Sequence, residues 1–420
     1  MSSDTTTVRP LPKPLAWLSR NAVWIALVSV TGFAAISALH WALTGFVIMT
    51  DFIDLTVYEA GARALVDGAP LYEGKIDGGM YSYTYPPFST LLFAPMVLGP
   101  LWLWKLLVFP VNTVLVACAV WLSLRIMGHA GDRDTRRVTL ALTALLFWVE
   151  PVAWTMYLGQ VNLVLLVVLL FGLHKRTELW LGLAVGLAAG IKITPAIFVI
   201  YFLVTRRYRA AATAVATFLG TVLVSLVVTP GDTLRYWSGT FLRTERVGEV
   251  AIQMNQSLNG LLARLFTVDK PPTVLWLGVA LLAALAGLSV AVLAHRRGKT
   301  LLGFTLVGMT GAAVSPISWS HHWVWFVPLV VVAAHGWQRT RRDAAALAVF
   351  TAVTFAWPMH LVTGHRMDIP ALGVIGIPEW NGLGNLYTNV YVFLFGATLV
   401  WVWRQLSTRT TAVPGTLAGS

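Results

Sequence analysis

The chain has 420 residues, 57% of them hydrophobic and only 11% charged, with a mean hydropathy of +0.72. A soluble domain carries about 25% charged residues, so these figures exclude a soluble fold for most of the chain. The net charge of +12 does not mark a nucleic-acid binder, because the basic residues sit at the ends of apolar runs, the positive-inside pattern of membrane proteins.

Cys118 is the single cysteine, which excludes a disulfide framework and a Cys-rich metal site. Arg9, Lys13 and Arg20 precede an apolar segment at 22–46. That segment exceeds the 7–15 residues of a signal-peptide core and reads as a retained first helix. Residues 1–21 read as a cytoplasmic tail, 22–404 as one transmembrane domain and 405–420 as a second cytoplasmic tail. About twelve spans are predicted near 22–46, 99–126, 137–150, 159–173, 179–191, 194–205, 210–229, 273–294, 300–315, 321–335, 344–362 and 385–403, since lipid tolerates only closed backbone hydrogen bonding. With both termini cytoplasmic, the clusters Arg125/Arg133/Arg136/Arg137, Arg206/Arg207/Arg209, Arg296/Arg297/Lys299 and Arg339/Arg341/Arg342 fall inside. The long connections, 47–98, 230–272 and 363–384, are then external, and long loops tend to carry function. In 230–250, Leu234, Trp237, Phe241 and Leu242 recur at helical spacing among arginines, as in a helix lying on an anionic bilayer surface.

The first external loop opens with Asp51 and Asp54. Either carboxylate could cap a helix, or serve as a general base that takes a proton from a sugar hydroxyl. Tyr81, Tyr83 and Tyr85 alternate into Pro86-Pro87, reading as an interfacial aromatic belt or as a sugar-binding wall, with a short helix at 87–97 behind them. Gln160 and Asn162 begin a span, where amides face the bundle interior as interhelical glue or as a site. Gly182, Gly186 and Gly190 form a small-residue packing stripe that leads to Lys192. That lysine could pair with a phosphate or snorkel to headgroups. Asn255, Gln256 and Arg264 offer polar groups to sugar hydroxyls, or simply form a polar loop. His321 and His322 follow Trp319; a histidine there could contact phosphate or relay a proton with an aspartate. Adjacent helical positions point about 100° apart, so the pair is poorly placed to chelate one ion, and no HExxH pattern occurs. No metal is expected.

Taken in order, Asp54-Leu55-Thr56-Val57-Tyr58, Tyr83-Thr84-Tyr85-Pro86-Pro87-Phe88, Gly159-Gln160-Val161-Asn162, Lys192-Ile193-Thr194-Pro195, Asn255-Gln256-Ser257-Leu258 and Ser318-Trp319-Ser320-His321-His322 resemble glycosyltransferase family 87 of the GT-C superfamily. The resemblance implies an all-α polytopic enzyme of a bacterial plasma membrane, working at the extracytoplasmic surface without a cofactor. It implies a polyprenol-phosphate-mannose donor, a phosphatidylinositol mannoside acceptor, an α-1,2 product and inversion at the anomeric carbon. It implies a catalytic aspartate in the first external loop, for which Asp54 fits best and Asp51 stands in reserve. His322 or His321 would pair with that aspartate or touch the donor phosphate. Other readings stay open: lipomannan as acceptor, a pentosyl (arabinofuranosyl) donor, and a secondary transporter. The transporter predicts ionisable residues at mid-membrane, whereas here the acids and histidines mostly lie near helix ends.

Overall fold

The computed structural model describes residues 11–44, 52–74, 76, 81–336, 340–357, 373–374 and 384–407. In chain order the helices are α1 (Lys13–Thr44), α2 (Ile53–Asp67), α3 (Ser89–Phe93), α4 (Leu101–Ile126), α5 (Arg133–Leu146), α6 (Glu150–Leu158), α7 (Asn162–His174), α8 (Glu178–Ile191) and α9 (Ile197–Val204). They continue with α10 (Tyr208–Val228), α11 (Pro230–Trp237), α12 (Leu258–Phe266), α13 (Thr273–Arg296), α14 (Thr300–Val314), α15 (Phe326–Gly336), α16 (Arg341–Thr354), α17 (Gly384–Tyr387) and α18 (Val390–Ser407). Extended pairing among the described residues is confined to isolated bridges at Ile76–Tyr81, Val149–Phe355 and Asn255–Trp319.

Helix ends follow local chemistry. Asp132, Thr177 and Ser257 cap α5, α8 and α12 by accepting a backbone N–H, and Thr340 with Asp343 forms a capping box on α16. Among the described residues five helices, α1, α4, α10, α13 and α18, are long and apolar enough to cross a bilayer, and α6 with α7 forms an apolar pair bent by 117°. The apolar surface of these helices is turned outward: Trp24 is 71% exposed, Val274 84% and Leu282 68%. Such a surface belongs in lipid rather than water, and the chain is an all-α, multi-pass membrane protein. Other expected spans coincide with shorter helices, such as α5, α8, α9 and α14, below the roughly 20 residues that cross unaided.

The packing is built in pairs: α1 on α5, α4 on α7, α8 on α10 and α13 on α14. The glycine stripe of α8 makes one pair close. A Cβ at Gly186 would stand 2.4 Å from the Ala214 carbonyl oxygen, and one at Gly190 2.4 Å from Thr221 Oγ1. The structural reading of the stripe therefore holds. Of the stretch 230–250, Pro230–Trp237 is helical as α11, whereas Phe241 and Leu242 lie in a 3₁₀ turn, Thr240–Leu242, followed by a second at Thr244–Arg246, so the expected helix stops short of them. The short helix expected at 87–97 is α3 plus the 3₁₀ turn Ala94–Leu98. Three helices were not anticipated: α2, α6 and α12, the last lying inside the second long loop. α2 lies inside the first long loop and buries Leu55, Tyr58 and Ala62 at helical spacing. α6 lies between two expected spans and ends at Gly159, whose φ of 70° is a left-handed conformation that glycine adopts freely. Its chain reversal is what creates the α6–α7 corner.

Candidate active site

Asp54 lies in the first turn of α2. It is not the cap, since Phe52 occupies that position with no side-chain bond. Instead its carboxylate accepts a hydrogen bond from the Gln160 side-chain amide at the α6–α7 corner. The carbonyl of that amide accepts from Tyr58 Oη at 3.0 Å. Tyr58 and Tyr85 share a hydroxyl contact of 3.0 Å, and the Val161 N–H donates to Tyr58 Oη at 3.2 Å. Tyr58 stacks on Phe93 with ring centroids 4.0 Å apart, which locks its hydroxyl toward the corner. Burial raises the Asp54 pKa to about 7, against the lowering effects of the Lys192 charge and the Gln160 hydrogen bond. A carboxylate so placed is basic enough to take a proton at neutral pH.

The other half of the corner faces Lys192, which caps the C-terminal end of α8. Lys192 Nζ donates to Asn162 Oδ1 at 3.0 Å and to His322 Nε2 at 2.9 Å. An ammonium has no acceptor, so His322 accepts through Nε2 and carries its proton on Nδ1. The same ammonium lies 5.5 Å from the Tyr85 ring centroid, a cation–π distance. Asn162 Nδ2 donates to the His321 carbonyl at 2.9 Å, and Thr155 Oγ1 reaches that oxygen at 3.4 Å. The histidines occupy the 3₁₀ turn Ser320–Trp323, their rings edge to face at 4.9 Å. Below them opens a cavity of about 50 Å³. Asn162, Lys192 and His322 form its polar end, and Leu166, Phe198 and Trp325 are among its apolar walls. Among the described residues no group of three His, Cys, Asp or Glu could hold a metal ion.

Asp54, Tyr85, Gln160, Asn162, Lys192, His321 and His322 thus come together from five separate stretches of chain. The remaining candidates sit elsewhere. Tyr83, 1% exposed, shares a 2.5 Å contact with Ser89 Oγ and covers Gly61, where a Cβ would meet its ring at 2.3 Å. Asn255, Gln256 and Arg264 make up a neighbouring layer in which side-chain groups bind backbone. Asn255 Oδ1 accepts from the Ser318 N–H at 2.9 Å. Gln256 Nε2 donates to the Thr388 carbonyl at 2.6 Å, and Gln256 Oε1 accepts from the Tyr391 N–H at 3.1 Å. Arg264 donates to the Ile252 carbonyl at 2.7 Å, the Asn255 carbonyl at 2.9 Å and Asn389 Oδ1 at 2.5 Å. Trp319 bridges to Asn255 and packs over Gly248, at 2.7 Å from a Cβ placed there. This layer holds the histidine turn from behind. Asp51 lies outside the described residues. Sequence reasoning missed Tyr58 and Glu150. Tyr58 follows Asp54 by four residues, one helical turn on the same face, and Glu150 is an acid set in a mostly apolar run, itself a functional signal.

A model of glycosyltransferase family 87 matches residues 83–316, a stretch that includes Tyr85, Gln160, Asn162 and Lys192. The chain is 36% identical, over 96% of its length and 91% of the relative's, to a polyprenol-phosphate-mannose-dependent α-(1-2)-phosphatidylinositol pentamannoside mannosyltransferase of Mycobacterium tuberculosis (strain CDC 1551 / Oshkosh). It is 34% identical, over 95% of each chain, to the protein of the same description in Mycolicibacterium smegmatis. A polyprenol-phosphate-mannose-dependent α-(1-2)-phosphatidylinositol mannoside mannosyltransferase of M. tuberculosis H37Rv is 33% identical over 83% of this chain and 85% of its own. With a family model over more than half its length and relatives matching nearly end to end, the chain belongs to glycosyltransferase family 87.

Proposed function

We propose that the protein is an inverting α-1,2-mannosyltransferase that moves mannose from polyprenol-phosphate-mannose to a 2-hydroxyl of a phosphatidylinositol mannoside. The names of the relatives support the donor and the acceptor class. The observation that carries the reading is the α6–α7 corner: one of its amides holds a carboxylate, Asp54, and the next holds a cation, Lys192. An inverting displacement needs that pair, a base on the nucleophile's side and positive charge on the leaving group's side.

Asp54 accepts the proton of the acceptor hydroxyl, whose oxygen attacks the anomeric carbon as the bond to the phosphate oxygen breaks. Lys192 meets the charge released on the polyprenyl phosphate, with His322 holding the ammonium in place. The apolar cavity beside Lys192 suits the first isoprene units. Bringing two lipids together in one cavity supplies much of the rate. No metal or other cofactor takes part. Asp51 is the reserve base. The site opens to the extracytoplasmic face of a bacterial plasma membrane, with both termini cytoplasmic, about twelve crossings, and residues 22–404 as one GT-C domain between short tails.

The test uses membranes carrying wild type, Asp54→Asn or Asp51→Asn, radiolabelled donor and a phosphatidylinositol mannoside. Transfer lost only in Asp54→Asn supports the assignment, and loss only in Asp51→Asn moves the base. A wild type that transfers no mannose overturns the donor. Acceptors of increasing mannose number distinguish small phosphatidylinositol mannosides from lipomannan.

A further inference from the structure

α6 is a strut nine residues long, about 14 Å at 1.5 Å per residue. Its C-terminal end is the corner that carries Gln160 and Asn162. Its N-terminal end is Glu150, 0% exposed, which the reaction above does not use. A carboxyl buried that deeply is costly unless its hydrogen bonds are made. Here Tyr391 Oη donates to Glu150 Oε2, and Gly373 closes over the side chain, where a Cβ would stand 2.7 Å from Glu150 Cγ. Tyr391 is itself 0% exposed, in the first turn of α18, and its backbone N–H is held by Gln256 Oε1. Ser320, beside the same carboxyl, is the residue before His321, and its own N–H donates to the Met254 carbonyl at 3.1 Å. Glu150 therefore bonds the last helix to the strut, while its other oxygen, Oε1, and the neighbouring Ser320 Oγ on the histidine turn are buried without a hydrogen-bond partner among the described residues, so the carboxyl meets that turn by packing alone. Thr155 and Asn162, on the strut and its corner, grip the same turn at the His321 carbonyl.

We propose that Glu150, through its hydrogen bond to Tyr391 and its packing against Ser320, is a positioning residue that sets the α6 strut and the His321–His322 turn against each other. That fixes the distance between Lys192 and His322. This rests on the reading above that Lys192 meets the leaving phosphate. It also gives the C-terminal helix a role in the site, since α18 is the anchor the carboxyl holds. A positioning role acts on the chemical step more than on donor capture, and it shares its effect with other contacts on the same turn.

Transfer kinetics with polyprenol-phosphate-mannose are compared for wild type, Glu150→Ala, Glu150→Gln, Tyr391→Phe, Asn162→Ala and the double variant Glu150→Ala/Asn162→Ala, each normalised to folded protein in the membrane. Glu150→Ala is expected to lower kcat at least about tenfold with donor KM within about threefold. Glu150→Gln keeps an acceptor for Tyr391 and recovers most of kcat. Tyr391→Phe leaves the buried carboxyl unpartnered and falls below Glu150→Gln. In the Asn162→Ala background the Glu150→Ala cost shrinks at least about threefold, because both act on one turn. Should Glu150→Ala not fold, Glu150→Gln against Tyr391→Phe carries the same comparison. A wild-type kcat in Tyr391→Phe and Glu150→Ala, full additivity with Asn162→Ala, or a loss wholly in protein abundance overturns the proposal. These outcomes leave the proposed reaction standing, whereas an inactive wild type removes the reaction itself.

Discussion

Two polar regions lie side by side in the fold, and they use the same kinds of residue differently. Around the α6–α7 corner, side chains from distant segments bind one another: Asp54 with Gln160, Lys192 with Asn162 and His322. In the layer of Asn255, Gln256 and Arg264, side chains bind chiefly backbone carbonyls and N–H groups. The first region keeps charge and titratable groups half-buried beside a cavity. The second closes polar backbone that would otherwise be unsatisfied. An amide-rich motif in a membrane enzyme is thus chemistry or scaffold according to where its hydrogen bonds end.

The largest effect that could break this division is Asp54→Asn. Loss of a general base costs about 10²–10⁴-fold in rate, with folded protein unchanged, as read from mannose transfer and detergent thermal unfolding. If Asp54→Asn lowers both together, Asp54 belongs to the scaffold. Lys192→Ala comes next, with a loss of about 10²-fold and a second signature in pH. Burial raises the Asp54 pKa to about 7, and the Lys192 charge lowers it. The base is the deprotonated form, so wild-type kcat falls about tenfold per pH unit below that value. Removing the lysine lifts the pKa further and shifts this limb to higher pH. A limb that stays in place sinks the electrostatic link between the two groups.

Arg264→Ala sharpens the comparison from the other side. It strips hydrogen bonds from buried carbonyls at roughly 1–3 kcal/mol each. The unfolding temperature and membrane abundance fall while kcat per folded molecule stays within about threefold. A stable but inactive Arg264→Ala would move that residue into the chemistry. Tyr83→Phe is the smallest change. It removes the contact with Ser89 Oγ, costs about 1 kcal/mol and leaves transfer unaltered.

Part of this was legible beforehand. The apolar runs gave α4, α10 and α13 nearly to their ends, because lipid-facing helices have no other way to satisfy their backbone, whereas α1 begins at Lys13, nine residues inside the expected tail. Asp54, Gln160, Lys192 and His322 were also candidates, each being polar where an apolar residue would be the default. α2, α6 and α12 were not anticipated. α2 and α12 lie in long loops that looked too polar to span, and α6 is shorter than any hydropathy window. The equal standing given to Tyr83 and Tyr85 came from their alternation, yet Tyr83 is claimed by Gly61 and Ser89 while Tyr85 reaches Gln160.

By itself the sequence determined the class of the molecule, an all-α membrane protein, since composition and hydropathy act through the solvent and need no partner. It also named most of the polar groups that matter. Only the tertiary structure decided which of them meet. Gly159 turns the chain by a left-handed step, and the glycines of α8 let α10 approach. Together they bring residues more than a hundred positions apart within hydrogen-bond reach. A hydrogen bond is a matter of ångströms, and neither periodicity nor hydropathy measures distance between helices.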